Sequence, residues 1–291
     1  MAGGGWGKVS DVRAAVIGHV EWVDFVRVDR LPSAGDIVHA RETWSEPAGG
    51  GPVSAVQLAK LAGGCTFFTA LGDDERGHQA YEELAALGLR VEATFRPDPT
   101  RRAITHIDRS GERTITVLGD RLSPSAADPL PWEDLEDADA VYVCACDPEA
   151  LRLARRARCV VATSRIILPT LREAGVGLDA LVGSALDPAE TYRDGDLDPV
   201  PRLVVRTEGA KGGTYASEGG ATKRYEPAPV PGKVADAYGC GDSFAAGLAY
   251  ALAGGRSHED AVAFAARCGA SVLTGHGPYE AQLTAEHTKG E

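Results

Sequence analysis

Short apolar runs alternate with stretches of helical spacing along most of this chain, and that alternation constrains the fold more than any other feature. RAAVIGHV (13–20), CTFFTALG (65–72), AVYVCAC (140–146), CVVAT, DALVGS and RLVVRT read as buried strands. Strands this uniformly apolar are covered on both faces. Between them, PVSAVQLAKLAG (52–63) and DERGHQAYEELAALG (74–88) repeat apolar residues at helical spacing and close on glycine. DPEALRLARRA (147–157) begins as a helix does, with Asp147 as cap and Pro148 at the first helical position. A last helix, HEDAVAFAARCGASVLTG, follows Ser257, which with Asp260 resembles a capping box. Strands separated by helices predict a mostly parallel sheet with helices on both faces.

Two regions break this pattern. VEWVDFVRVDRLPSAGDIVHARETW (20–44) alternates apolar and polar residues around Pro-Ser-Ala-Gly, which predicts two half-exposed strands. ITHIDRSGERTITVLG (104–119) predicts a hairpin turning at Arg-Ser-Gly-Glu. Together they suggest a small antiparallel sheet standing off the main body, with lid strands at about 20–46 and 90–119. Trp22, Phe25 and Trp44 fall there, either as lid packing or as rings that stack on a sugar face or nucleobase. No repeat or linker splits the chain, so one domain is expected over 12–285, with 1–11 and 286–291 as loose tails.

At 291 residues the chain can bury a sizeable core without staples. Its net charge of -12 argues against nucleic acid or anionic membrane as the main partner. The cysteines at 65, 144, 146, 159, 240 and 268 form no C-x-x-C pair and no zinc spacing. They read as reduced, buried thiols of a cytoplasmic protein. No apolar run is long enough to span a bilayer, and MAGGGWGKVSD lacks a signal-peptide core.

Two glycine loops carry the chemistry. In GCGDSF (239–244), glycines precede a helix, and backbone amides there join the helix N-terminus as an anion site. Asp242 then has two possible roles. It is an N-cap, or it is a general base that takes a hydroxyl proton beside the anion hole. The dinucleotide fingerprint is weakened, because Phe244 stands where its third glycine belongs and the motif lies near the C-terminus, and no Walker A string exists. The second loop, PAGGGPVSAVQLAKLAG (47–63), places Gly49, Gly50 and Gly51 before a helix, as a flexible cap or a close approach to a polar ligand.

In order along nearly the whole chain, GHVEWVDFVRVDRLPSAGD, AGGG with AVQLAKLAG, TALGDDERG, GERTITV, RTEGAKGG and DAYGCGDSFAAGL resemble the signatures of the ribokinase-like (PfkB) carbohydrate kinase family. The resemblance implies a three-layer α/β/α sandwich with a β lid, and ATP-dependent phosphorylation of a hydroxyl on a sugar or sugar derivative. A nucleoside kinase of the same family and a non-catalytic metabolite-binding protein are the alternatives. It implies Asp242 as the base and the amides of Gly239, Cys240 and Gly241 as the anion hole. It assigns Gly49, Gly50, Gly51, Asp24, Ser54 and Arg113 to the acceptor, and Ser184, Thr207, Gly209 and Gly212 to the nucleotide. Magnesium through water at Asp187 and a monovalent cation such as K+ at Asp236 follow from it, as does a homodimer through the lid. For Asp236 the plain alternative is an acid that stabilises a turn, and for Arg113 a surface charge.

Several positions depart from the family pattern. Ser54 stands near an expected Asn, Ser184-Ala-Leu-Asp187 replaces the N-x-x-E motif, and Asp24 lies one residue further from Gly18 than expected. Cys240 replaces an alanine. Weaker metal binding is the expected consequence of a shorter acid at 187.

Overall fold

The computed structural model describes residues 12–165 and 168–288. The expected loose tail at 1–11, and positions 289–291 of the second tail, lie outside those residues. The first strand, β1 (Ala14–Ile17), sits inside a nine-stranded sheet. From one edge the order is β13 (Lys223–Tyr225), β12 (Gly213–Ser217), β11 (Leu203–Thr207), β10 (Ala180–Ser184), β9 (Cys159–Thr163) and β8 (Ala140–Val143). Beyond β1 it continues with β4 (Cys65–Gly72) and β5 (Leu89–Arg96). All pairs from β5 to β11 are parallel, and β12 and β13 add an antiparallel edge.

Alternate residues of the strands feed two cores, as the period of two requires. Val16, Phe67, Tyr142, Val161 and Val205 pack toward α1 (Gly50–Ala62), α2 (Glu75–Ala86), α5 (Cys240–Ala253) and α6 (His258–Val272). Ile17, Phe68, Val143, Val160 and Val204 pack toward α3 (Pro148–Ala154) and α4 (Leu168–Ala174). The result is the expected three-layer sandwich. The helix α4 carried no clear periodic signal in the sequence and is short. The strand expected at 140–146 ends at Val143, where the chain bends toward α3.

The lid is a four-stranded sheet in the order β3 (Glu42–Ala48), β2 (Glu21–Arg27), β6 (Arg102–Ile107) and β7 (Arg113–Leu118). Two expectations need correction. The lid is mixed rather than antiparallel, because β2 and β6 leave the main sheet in the same direction and pair parallel. The stretch from about 90 belongs to the main sheet, since β5 pairs with β4, so the second lid segment starts at Arg102. In the lid, Phe25 stands opposite Trp44 and the rings stack at 4.8 Å. Trp22 is buried as well. These aromatics pack the lid, the plainer of their two expected roles.

The turn between β4 and α2 fixes the base of the lid. Asp74 caps α2 through Gly77 N at 2.8 Å and also accepts from Thr100 N and Thr100 Oγ1. A Cβ on Gly77 would stand 2.0 Å from the Gly72 carbonyl oxygen. Helix propensity alone favours Gly77→Ala by about 1 kcal/mol. The clash is with backbone and cannot be relieved by a rotamer change. Gly77→Ala is therefore expected to lower unfolding stability by about 2 kcal/mol, the range of core overpacking. Denaturant titration checks the sign, and a stabilised variant would refute the packing account.

Candidate active site

The site forms where two helices begin. Both α1 and α5 start without a side-chain cap, whereas α2, α3 and α6 are capped by Asp74, Asp147 and Ser257. Bare N-termini leave amide groups and the positive ends of two helix dipoles available to a ligand. The two ends converge. A Cβ on Gly50 would lie 3.1 Å from Asp242 Oδ1. The cap residues Gly49 and Gly239 have φ of 90° and 82°, which favours glycine. Over Gly241 a Cβ would meet nothing within 4 Å, so the first turn of α5, begun by Cys240, faces open space.

Asp242 lies in that first turn. Gly239 holds the cap position, so the N-cap role does not materialise. Burial pushes the Asp242 carboxyl up to about 6. Arg113 and Arg165 pull it down, and Glu190 and Glu21 add to the rise. Arg113 is thus brought to the site from the lid, although its own strand is exposed.

Other expected residues fall differently. Ser54 is fully buried, and its Oγ donates to the Asp242 carbonyl at 3.2 Å. It fastens α1 to α5 and has no face open to an acceptor, which corrects the expectation for it. Asp24 also departs from expectation. Neighbouring side chains of a strand point to opposite faces, and Val23 and Phe25 are fully buried while Asp24 is not. Ser45 Oγ and Arg102 Nη2 donate to Asp24 at 2.7 Å each, so the structure does not bring it to Asp242.

Glu21 occupies that place instead, and sequence reasoning missed it. Its Cγ lies 3.3 Å from where a Cβ on Gly49 would stand. Burial works to raise its pKa, but His19, Arg101 and Arg121 outweigh burial and hold it below the ordinary value. The available signal was its position just past β1, at the carboxyl end of a central strand, where α/β sheets bind ligands.

Ser184, Thr207, Gly209 and Gly212 gather at the carboxyl ends of β10 and β11, where Ser184 pairs with Thr207. A Cβ on Gly212 would lie 2.2 Å from the Tyr225 carbonyl oxygen, so glycine is required there. Asp187 is spent on a 3-10 turn, accepting from Ala189 N at 2.9 Å. That turn returns Glu190 to the site, where its Oε2 accepts from Ser184 N at 2.6 Å. Burial raises the Glu190 pKa, and Glu190 in turn raises that of Asp242. Glu190 rather than Asp187 is therefore the acid of this turn whose charge, with that of Glu21, acts on Asp242. Only the turn brings it back, so no linear spacing revealed it.

Asp236 is fully buried, and its Oδ1 accepts from Tyr238 N at 2.8 Å, so it does stabilise the turn before α5. Its Oδ2 is buried with no hydrogen-bond partner among the described residues. All six cysteines are free.

A model of the pfkB family of carbohydrate kinases matches residues 12–166 and 152–285. The chain belongs to this family. This carbohydrate kinase is 24% identical to a ribokinase of Arabidopsis thaliana over 285 residues, covering 86% of this chain and 73% of the relative. It is 26% identical to an ATP-dependent ribose-1-phosphate kinase of Halopiger xanaduensis, covering 89% and 91%. A Thermotoga maritima ribokinase structure superposes with a TM-score of 0.76 at 22% identity, covering 96% and 98%. That likeness establishes the fold. No helix among the described residues is long and apolar enough to cross a membrane.

The Asp242 environment predicts a pH signature for the kinase. A carboxyl raised above its unfolded value of about 4 loses stability as pH rises from about 4 to 6, because the folded state holds the proton more tightly. Asparagine mimics the protonated acid. Asp242→Asn is therefore expected to raise the melting temperature at pH 8, with the gain vanishing as pH falls toward 4. Equal melting shifts at both pH values would exclude a raised pKa at this residue.

Proposed function

We propose that this kinase transfers the γ-phosphate of ATP to a hydroxyl of a sugar or sugar derivative, with Asp242 as general base. The reading is carried by two uncapped helix N-termini converging on a carboxylate whose pKa is pushed up to about 6. A base poised near neutral pH takes a hydroxyl proton efficiently. As the hydroxyl oxygen attacks the γ-phosphorus, its proton passes to Asp242 and ADP leaves. The amides of Gly239, Cys240 and Gly241 receive the phosphoryl oxygens, whose charge the α5 dipole favours. Gly49, Gly50 and Gly51 approach the acceptor through backbone. Arg113 closes over both from the lid. Ser184, Thr207, Gly209 and Gly212 line the nucleotide.

A magnesium ion brought with the nucleotide would keep several waters, so it would need few protein ligands. Among the described residues no three His, Cys, Asp or Glu side chains are grouped to hold a metal. Glu190, partly buried and acting on Asp242 through its charge, fits a water-mediated contact to the ion better than Asp187 does. The ion would neutralise developing phosphoryl charge. A monovalent cation such as K+ fits beside Asp236, whose buried Oδ2 has no directed hydrogen bond among the described residues. It would stabilise the turn that carries the anion hole. The lid's outer strand β7 is exposed along its length and shows Ile115, Val117 and Leu118, which supports a homodimer formed through the lid.

ADP release with Mg-ATP over a panel of sugars tests the reaction. Asp242→Asn is expected to lower kcat by about 100-fold or more, the usual worth of a general base. Undiminished turnover would remove Asp242 from the mechanism. Glu190→Gln is expected to raise the magnesium concentration needed for half-maximal rate, while Asp187→Asn leaves it unchanged. The reverse pattern would return the metal contact to Asp187.

A further inference from the structure

A partly buried cluster on the acceptor side of the cleft is left unused by the phosphoryl-transfer chemistry. His19 follows β1, Glu21 opens β2, Arg101 precedes β6 and Arg121 follows β7. His19 is 7% exposed and Glu21 8%. The Arg101 side chain is 14% exposed. Glu21 lies against Gly49, so the cluster abuts the bare N-terminus of α1.

Its charges do not balance. Arg101 Nε lies 3.1 Å from Glu21 Oε1, yet this Nε forms no directed hydrogen bond. The Arg121 Nε is buried and has no hydrogen-bond partner among the described residues. The strongest charge acting on Arg121 is the like charge of Arg101, which with burial lowers its pKa. Burial keeps His19 below its ordinary pKa, and its Nδ1 is buried without a partner too. Arg101 is thus paired with the cluster's one carboxylate beside a helix N-terminus, while Arg121, whose charge also acts on Glu21, has no ion pair of its own among the described residues. A buried guanidinium nitrogen is normally hydrogen-bonded, and leaving it without a partner is unfavourable. The chain carries a net charge of -12, so this is not a generally basic surface. Neutral sugar hydroxyls cannot supply the missing charge. A phosphate or carboxylate can, and the planar guanidinium fork matches either.

We infer that Arg121, together with Arg101, receives an anionic substituent of the acceptor, so that the sugar reaching Asp242 already bears a phosphate or a carboxylate. The inference rests on the kinase reading above and narrows its substrate class. The cluster connects to the base through Cys144. A Cβ on Gly50 would lie 3.1 Å from Asp242 Oδ1 and 3.5 Å from Cys144 Sγ, and Cys144 feels the Arg121 charge. The reacting hydroxyl and the anion therefore occupy two ends of one small molecule. The amides of Gly239, Cys240 and Gly241 stay free for the γ-phosphate.

Calorimetry without nucleotide, on the full chain, tests this with D-ribose, ribose 1-phosphate, ribose 5-phosphate and D-ribonate. At least one anionic sugar is expected to bind on the order of 100-fold tighter than ribose, the worth of charge-assisted hydrogen bonds. Phosphate and carboxylate arms identify which anion is used. Arg121→Gln is expected to lose about 30-fold of that affinity and leave ribose within about threefold, and Arg121→Lys to recover part of the loss. Ribose binding as tightly as every anionic sugar overturns the proposal. So does an Arg121→Gln variant whose defect is in the KM for ATP. The kinase reading fails separately: tight anionic-sugar binding with no ADP release on adding Mg-ATP upholds this site and sinks that reaction. Turnover of ribose at the same kcat/KM as its phosphates upholds the reaction and sinks this site.

Discussion

Two helices can begin in contact only if almost nothing but backbone stands between them, and the rest of this molecule is arranged around that requirement. A Cβ on Gly51 would stand 2.5 Å from the His19 carbonyl oxygen and 2.7 Å from Phe67 Cζ. One on Gly239 would stand 2.9 Å from Val53 Cγ1. The approach is then tied by hydrogen bonds. Gly49 N donates to Tyr238 Oη, Ser54 Oγ to the Asp242 carbonyl, and Gln282 Nε2 to both the Val53 carbonyl and Ser243 Oγ. These contacts hold α1 and α5 so that their positive ends face the same space. Like ends of dipoles repel, so the arrangement persists only because packing and buried hydrogen bonds hold it.

That geometry sets the electrostatics of the site. The positive helix ends and Arg113 favour an ionised Asp242, but burial and the acids Glu190 and Glu21 oppose it, and opposition wins. A carboxylate kept partly protonated near neutral pH exchanges a proton readily, which a base with an ordinary pKa of about 4 does less well. The same cleft therefore holds two differently tuned acids. Glu21 is pulled below its ordinary value by His19 and two arginines, whereas Asp242 is pushed above. One is fixed as a charge and the other is able to titrate.

The architecture was legible in the sequence because burial on two faces leaves an unmistakable apolar run in each strand, and because caps such as Asp147 and Ser257 are local signals. Asp242 and its glycines were legible for the same reason: a tight turn into a helix is written in consecutive residues. The lid's pairing was not, since whether β2 meets β6 in parallel depends on where two distant excursions leave the sheet. Asp24 and Glu21 show the finer limit. A shift of three residues along a strand exchanges one face for the other, and no spacing from Gly18 fixes where the strand begins. Arg101 and Arg121 lie in irregular segments and Glu190 ends a single 3-10 turn, and only tertiary structure collects them. Ser54 was misread because a polar residue early in a helix at a site has two plausible faces, and here the helix contact took it.

The lid and the N-terminus of α5 are mechanically joined. Ala237 N donates to the Gly111 carbonyl at the tip of the β6–β7 hairpin, and Arg27 Nη1 donates to the Ala235 carbonyl. A Cβ on Gly111 would stand 3.0 Å from Val234 Cγ1, so the tip sits directly on this loop. From below, Ala235 N donates to the Leu273 carbonyl just past α6. The segment 234–238 is thus gripped between lid and body, and it leads straight into Asp236, Tyr238 and the Gly239 cap. Displacing the hairpin removes a hydrogen bond from the residue next to Asp236. Lid position and the setting of the α5 N-terminus are consequently one structural variable, and under the proposed reaction a lid that closes over an acceptor would also steady the amides at that N-terminus.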